Sequence, residues 1–168
     1  MDKTLNTITD HITCVQGMMS HILKNLDSRR LNHDHSKLRP DVFRGYMRFE
    51  DFPEGLEYGS DAYKEEMAKV MDGNDCFKIH AALEDHHPEH FEHVEDMGFL
   101  EIIEMVCDWA GATISYGNKG SFTESGVKNI ERFGFTKAQT WLILQVADFL
   151  LKESEALQEN EKLSELDG

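Results

Sequence analysis

The chain has 168 residues, 40% of them hydrophobic and 29% charged, with a formal net charge of −15. That length suits one domain with one compact core. The charge repels nucleic-acid backbone and anionic membrane, which excludes a DNA or RNA duplex as partner. A small anionic substrate stays open, because bound divalent cations reverse the sign locally. Cys14, Cys76 and Cys107 are widely spaced with no CxxC, so free thiols and a reducing, cytoplasmic location are expected. The opening Met-Asp-Lys-Thr-Leu-Asn has no basic region and no long apolar run, so no signal peptide is expected. No stretch approaches the roughly 18 apolar residues of a membrane span. Three prolines and little alternation of period two favour helices over strands.

The first helix is expected from Thr4 to Leu26. Ile8, Ile12, Val15, Met18, Met19, Ile22 and Leu26 are spaced by three and four, within an arc of roughly 120°. His11 falls inside that arc and is expected to face the core; His21 falls outside it. Taken alone, His11 is equally well explained as a hydrogen-bonded core histidine. Residues 28–38 read as a second helix carrying His33 and Asp34. Pro40 and Asp41 suit the first turn of a third helix running to about Glu50. Residues 51–60 have the composition of a loop, and Ser60 is a suitable N-cap for a helix through Met71. Asp72-Gly-Asn-Asp75 breaks it. The next helix carries His80 and is expected to end near Pro88.

Residues 99–116 give the least ambiguous helix. One stripe runs through Leu100, Ile103, Cys107, Ala110 and Ile114, a second through Ile102, Val106 and Trp109, which marks the helix as central. Glu104 and Asp108 nevertheless sit on it at i, i+4, on one face, and buried carboxylates are costly unless paired or metal-bound. Ser121-Phe-Thr-Glu124 and Thr136-Lys-Ala-Gln139 match capping boxes that start two more helices. From about Glu153 the chain is acidic and poor in apolar residues, and a frayed tail is expected there. The expected division is a helical domain over 1–152 and an acidic tail over 153–168. The oligomeric state is left open, a homo-oligomer included.

Chemistry concentrates in three places. On a helix, His33 and Asp34 would stand about 100° apart and reach one metal from the same side, with Lys37 close enough to meet an anion. An exposed polar turn would explain the same residues. His86-His87-Pro88-Glu89-His90 pairs histidines at a helix end, and His80 lies near two turns earlier, so His86 or His87 can share its face. A solvated histidine-rich loop is the plainer alternative. Asp108 gains a reason to be inside if it binds metal, although a hydrogen-bonded buried acid accounts for it too. Glu104, one turn earlier, could orient a ligand histidine.

His11, His33-Asp34-x-Ser36-Lys37, Tyr58-Gly59-Ser60-Asp61-x-Tyr63, His86-His87-Pro88-Glu89-His90, Glu104-Met105-x-x-Asp108-Trp109 and Asn129-Ile-Glu-Arg132-Phe133-Gly134 follow one another in order. Together they resemble a family of uncharacterised, often phage-encoded proteins related to the HD superfamily. The resemblance implies an all-α, single-domain helical bundle around one or two divalent ions (Mn, Fe, Co or Zn). On its pattern His11, His33, Asp34, His80, His86 or His87, and Asp108 are the ligands, and Asp34 bridges two ions.

The resemblance further implies a phosphohydrolase acting on a nucleotide or related small phosphoester by metal-activated water, with Asp34, Lys37 and Glu104 as catalytic residues. A host-cell cytoplasmic location follows if the chain is phage-encoded. His33-Asp34-His35-Ser36-Lys37 is similar to the HD-x-G-K stretch of dinuclear members, with serine in place of glycine. In the common pattern of the phage-encoded family, asparagine is expected where Glu84 stands and a second histidine where Ile79 stands. The same ligands also suit an HD-type di-iron oxygenase, and a non-catalytic module binding a nucleotide or a protein is the third reading. Lys119 and Arg132 are further cations that a phosphate could meet.

Overall fold

In the computed structural model, residues 3–56, 60–115 and 122–166 are described, with side chains over 3–56, 60–113 and 126–152. Tyr58, Gly59, Lys119 and the Ser121 cap lie outside the described residues. The described residues are all-helical, with no strand. The chain divides into two compact units, Met1–His33 and Asp34–Gly168. No helix of the described residues is long and apolar enough to cross a membrane.

The first unit is one long helix, α1 (Lys3–Asn32). It runs beyond the expected end at Leu26. Arg29 and Arg30 in its last turn complement the negative end of the helix dipole, and Arg30 Nη2 pairs with Asp27 Oδ1 at 2.8 Å. Taken as a unit by itself, a single helix has nothing to bury a face against, and no residue of α1 is buried.

The second unit holds the other six α-helices of the described residues. They are α2 (Pro40–Met47), α3 (Asp61–Met71), α4 (Cys76–Leu83), α5 (Phe99–Ser115), α6 (Phe122–Phe133) and α7 (Lys137–Leu166). The expected helix over 28–38 is replaced. The chain leaves α1, turns at Asp34 with φ +60°, and enters a 3₁₀ turn over His35–Leu38. Asp is among the few side-chain-bearing residues that enter the left-handed region at small cost. Capping residues act as expected at two helix starts. Ser60 Oγ accepts from Tyr63 N at 3.2 Å. Thr136 Oγ1 accepts from Gln139 N at 3.3 Å while Gln139 Oε1 accepts from Thr136 N at 3.1 Å.

The core lies where α5 packs on α7, with Met97, Ile102, Met105, Val106, Phe135 and Ile143 buried. The buried stripe of α5 is therefore Ile102, Met105 and Val106. Cys107, expected on a packed stripe, is exposed. Gln139 ties the segment before α5 to α7: its amide nitrogen donates to the Val94 carbonyl at 2.7 Å and the Met97 carbonyl at 2.9 Å. The frayed tail expected from 153 is also replaced, because α7 continues to Leu166. Glu, Leu, Lys, Gln and Ala, which dominate that stretch, are all strong helix formers.

A second, smaller contact joins α2 to α4. Asn74 Nδ2 donates to the Gly45 carbonyl at 3.0 Å, and Asn74 Oδ1 accepts from Cys76 N at 3.2 Å. A Cβ on residue 45 would overlap Cys76 Cβ and Asn74 Oδ1. Alanine for glycine inside a helix usually stabilises by about 0.5–1 kcal/mol; here the close approach reverses the sign. Gly45→Ala is expected to destabilise by about 1–3 kcal/mol, read as a lower midpoint in thermal or urea unfolding.

Candidate metal centre

Asp34 opens the second unit, and its carboxylate is the point on which three histidines converge. His80 comes from α4. His86 and His87 come from the turn that follows it. The α4 helix stops at Leu83, five residues short of Pro88, and Glu84 N donates back to the His80 carbonyl at 3.1 Å. The chain then turns twice: His87 N donates to the Glu84 carbonyl at 3.2 Å, and His90 N to the His87 carbonyl at 3.0 Å. His90 Nδ1 also lies 3.0 Å from the Ala82 carbonyl, fastening the turn to α4. The helix end expected near Pro88 is thus earlier. The turn, not helical spacing, returns both histidines to His80.

The donor atoms are close. His80 Nε2 lies 3.1 Å and His86 Nε2 3.5 Å from Asp34 Oδ1. His87 Nε2 lies 3.0 Å from His80 Nε2. Donor atoms of Asp34, His80, His86 and His87 all fall within 4.8 Å of one another, a group that could hold a metal ion. Three imidazoles and one carboxylate suit first-row divalent metals rather than calcium or magnesium, which favour all-oxygen sites. His80 and His86 are 3% and 1% exposed, so this is an interior set of polar groups rather than a histidine-rich surface loop.

Around the four stand supporting residues. Glu104 Oε1 of α5 lies 3.3 Å from His86 Nδ1, where a carboxylate that orients a ligand histidine stands. Asp108, one turn further along α5, acts on His86 through its charge. Lys37 Nζ pairs with Asp34 Oδ2 and sits 5.7 Å from the centroid of the Tyr46 ring. Ser36 Oγ lies 2.6 Å from His80 Nδ1, and Glu84 Oε1 accepts from Ser36 N at 2.9 Å. Neither Ser36 nor Glu84 has a structural role that the sequence alone predicts; the only signal is that each departs from the pattern it resembles. Arg132 pairs with Glu89 at 3.3 Å, beside the histidine turn. His11 and His33 belong to the first unit, and the cluster described here is built from Asp34–Gly168 alone.

The charges are set by these contacts. Burial opposes ionisation of Asp34, but hydrogen bonds from His80, His86 and Lys37 outweigh it and hold the carboxyl well below the usual carboxylate range. Burial also opposes a charge on His86, yet the carboxylates of Asp34, Glu104 and Asp108 push its pKa up to about 9. For His87, burial and then the positive charge of His86 outweigh the pull of Asp34 and push it down to about 3. Desolvation of the Cys107 thiol and the charges of Glu104 and Asp108 raise its pKa.

The model of a family of unknown function (DUF5662) matches residues 1–156. No curated protein and no solved structure matches the chain.

A metal must displace a proton from His86 Nε2, whereas His87 is already neutral at pH 7. Below about 9 the His86 ring is charged, so affinity for a divalent ion is expected to rise with pH. The expected slope is about tenfold per pH unit between neutrality and that value, with about one proton released per ion. Calorimetric zinc titrations at pH 7 in buffers of different ionisation enthalpy count that proton. Release of none would contradict the charge assigned to His86.

Proposed function

The chain belongs to the DUF5662 family; from the geometry of the cluster and the resemblance to the HD superfamily we propose that it is a metal-dependent phosphohydrolase acting on a nucleotide or related small phosphoester. The observation that carries the reading is the convergence of Asp34, His80, His86 and His87 in one partly buried set. These four residues would hold the ion. When bound, it would supply the positive charge and the acidified water that phosphoester hydrolysis needs. The resemblance to the HD superfamily favours two ions, and the four-residue cluster supports the first of them.

The roles of the chain's own groups follow from their contacts. Glu104 accepts from His86 Nδ1–H and so keeps Nε2 turned to the cluster. Asp34 offers Oδ1 to the histidines, while Oδ2 is engaged by Lys37. With a cation at the carboxylate, the Lys37 ammonium would be free to meet a phosphate oxygen. The ring of Tyr46 beside Lys37 limits where the ammonium can swing. In a chain of net charge −15, Lys37 and the bound cation together give an anionic substrate a local attraction that the rest of the surface denies it.

The test is phosphate release from a panel of nucleoside mono-, di- and triphosphates and from bis(p-nitrophenyl) phosphate, with manganese, cobalt or zinc supplied under anaerobic conditions. Asp34→Ala is expected to lower turnover at least about 100-fold by removing the shared ligand, while the far-ultraviolet circular dichroism stays helical. Lys37→Ala is expected to raise KM more than it lowers kcat. Full activity in Asp34→Ala would remove this cluster from the chemistry.

A further inference from the structure

Two departures from the resemblances meet in space. Ser36 stands where the HD-x-G-K stretch has glycine, and Glu84 where the phage-encoded family's pattern has asparagine. They are 48 residues apart in sequence, and Glu84 Oε1 accepts from Ser36 N at 2.9 Å. Ser36 in turn brings its hydroxyl to 2.6 Å from His80 Nδ1. The result is a relay from Glu84 through Ser36 to His80. Its last member faces the cluster with the opposite ring nitrogen, Nε2, 3.1 Å from Asp34 Oδ1. Ser36 is buried and His80 is 3% exposed, so water is not on hand to replace the hydroxyl as partner of Nδ1.

We propose that Ser36 is a positioning residue for His80, held in place by Glu84, and that its hydroxyl holds the His80 ring by Nδ1 so that Nε2 faces a metal ion. This rests on the reading of the cluster as a metal site. A neutral imidazole carries one N–H, and which nitrogen bears it is set by the partner of the other. A metal on Nε2 requires the proton on Nδ1, where Ser36 Oγ accepts it. Without a metal, Nε2–H can donate to Asp34 Oδ1, and Nδ1 then accepts from the same hydroxyl after it rotates. Serine serves both states because a hydroxyl both donates and accepts. Glycine, with no side chain, serves neither.

Glu84 prevents the alternative in which the 3₁₀ turn over His35–Leu38 shifts and carries the hydroxyl away. Its carboxylate pins the backbone of Ser36, and the α4 end that bears Glu84 is the same one that bears His80. Ligand and brace therefore move as one piece.

The test is titration of the full chain with zinc and with cobalt(II), followed by calorimetry and by the cobalt d–d absorption. It is paired with ¹⁵N–¹H correlation spectra of the histidine rings in the zinc-loaded protein. Ser36→Ala is expected to bind about 10–100-fold more weakly than wild type, with an altered His80 ring signal and an unchanged helical circular dichroism. Ser36→Thr, which keeps the hydroxyl, is expected to recover most of the affinity and the wild-type Nδ1–H signal. Glu84→Ala leaves both partners of the His80 bond in place and is expected to weaken binding in the same direction; it carries the test if Ser36→Ala does not fold. Equal affinity in wild type, Ser36→Ala and Glu84→Ala overturns the positioning role and leaves the metal site standing. Failure of Ser36→Thr to bind better than Ser36→Ala also overturns it, since bulk and not the hydroxyl would then matter. No binding by wild type overturns the metal reading itself, and this proposal with it.

Discussion

The second unit is organised at its chemical end around one carboxylate. Asp34 is partly buried, which by itself disfavours its charge, and three positive or proton-donating partners restore that charge: His80 from α4, His86 from the turn after it, and Lys37 one 3₁₀ turn away. Each partner reaches Asp34 only because a local backbone feature puts it there. Asp34 itself sits at φ +60°, a conformation that ends the helical run before it and points the chain into the 3₁₀ turn. Were residue 34 to continue a helix, Lys37 at i+3 would stay on its face, but Ser36 at i+2 would turn away from it.

Concentrating like charges in a small volume carries a cost that the neighbours offset unequally. His86 is flanked by Asp34 and Glu104 and takes a proton readily; His87, a residue later, meets mainly burial and the charge of His86 and refuses one. Environments that push neighbouring titratable groups apart are common at functional sites, and a divalent ion would relieve the same crowding by replacing protons with a single shared charge. Glu104 links this end to the core, because it rises from α5, whose Ile102, Met105 and Val106 are buried on another face. The packing of α5 on α7 thereby fixes the carboxylate that faces His86.

What was legible in the sequence was mostly local. Ser60 and the Thr136–Gln139 box cap the helices they were expected to cap, because a cap depends on three or four adjacent residues. Pro40 opens α2 for the same reason. The residues of the cluster were also legible as types in order, though their geometry was not. His33-Asp34 read as helical since nothing in a hydrophobic pattern marks a left-handed residue; the signal that was present is the basic last turn of α1 followed by Asn32 and Asp34, which tolerate that conformation. The histidine pair was expected at the end of a long α4, whereas α4 stops at Leu83 and a turn brings both rings back. Ser36 and Glu84 went unassigned because their roles exist only through a contact between segments 48 residues apart. The acidic segment after Glu153 was misread from its charge, although its residues individually favour helix.

The central claim is that Asp34, His80, His86 and His87 hold a metal. Metal content per chain, measured by mass spectrometry on protein purified without chelator or nickel resin, tests it most directly. The account predicts about one to two manganese, iron, cobalt or zinc ions per chain, the metals that nitrogen and oxygen ligands of this kind favour. No bound metal, together with no uptake when these ions are added back, would contradict it and leave the histidines as structural groups.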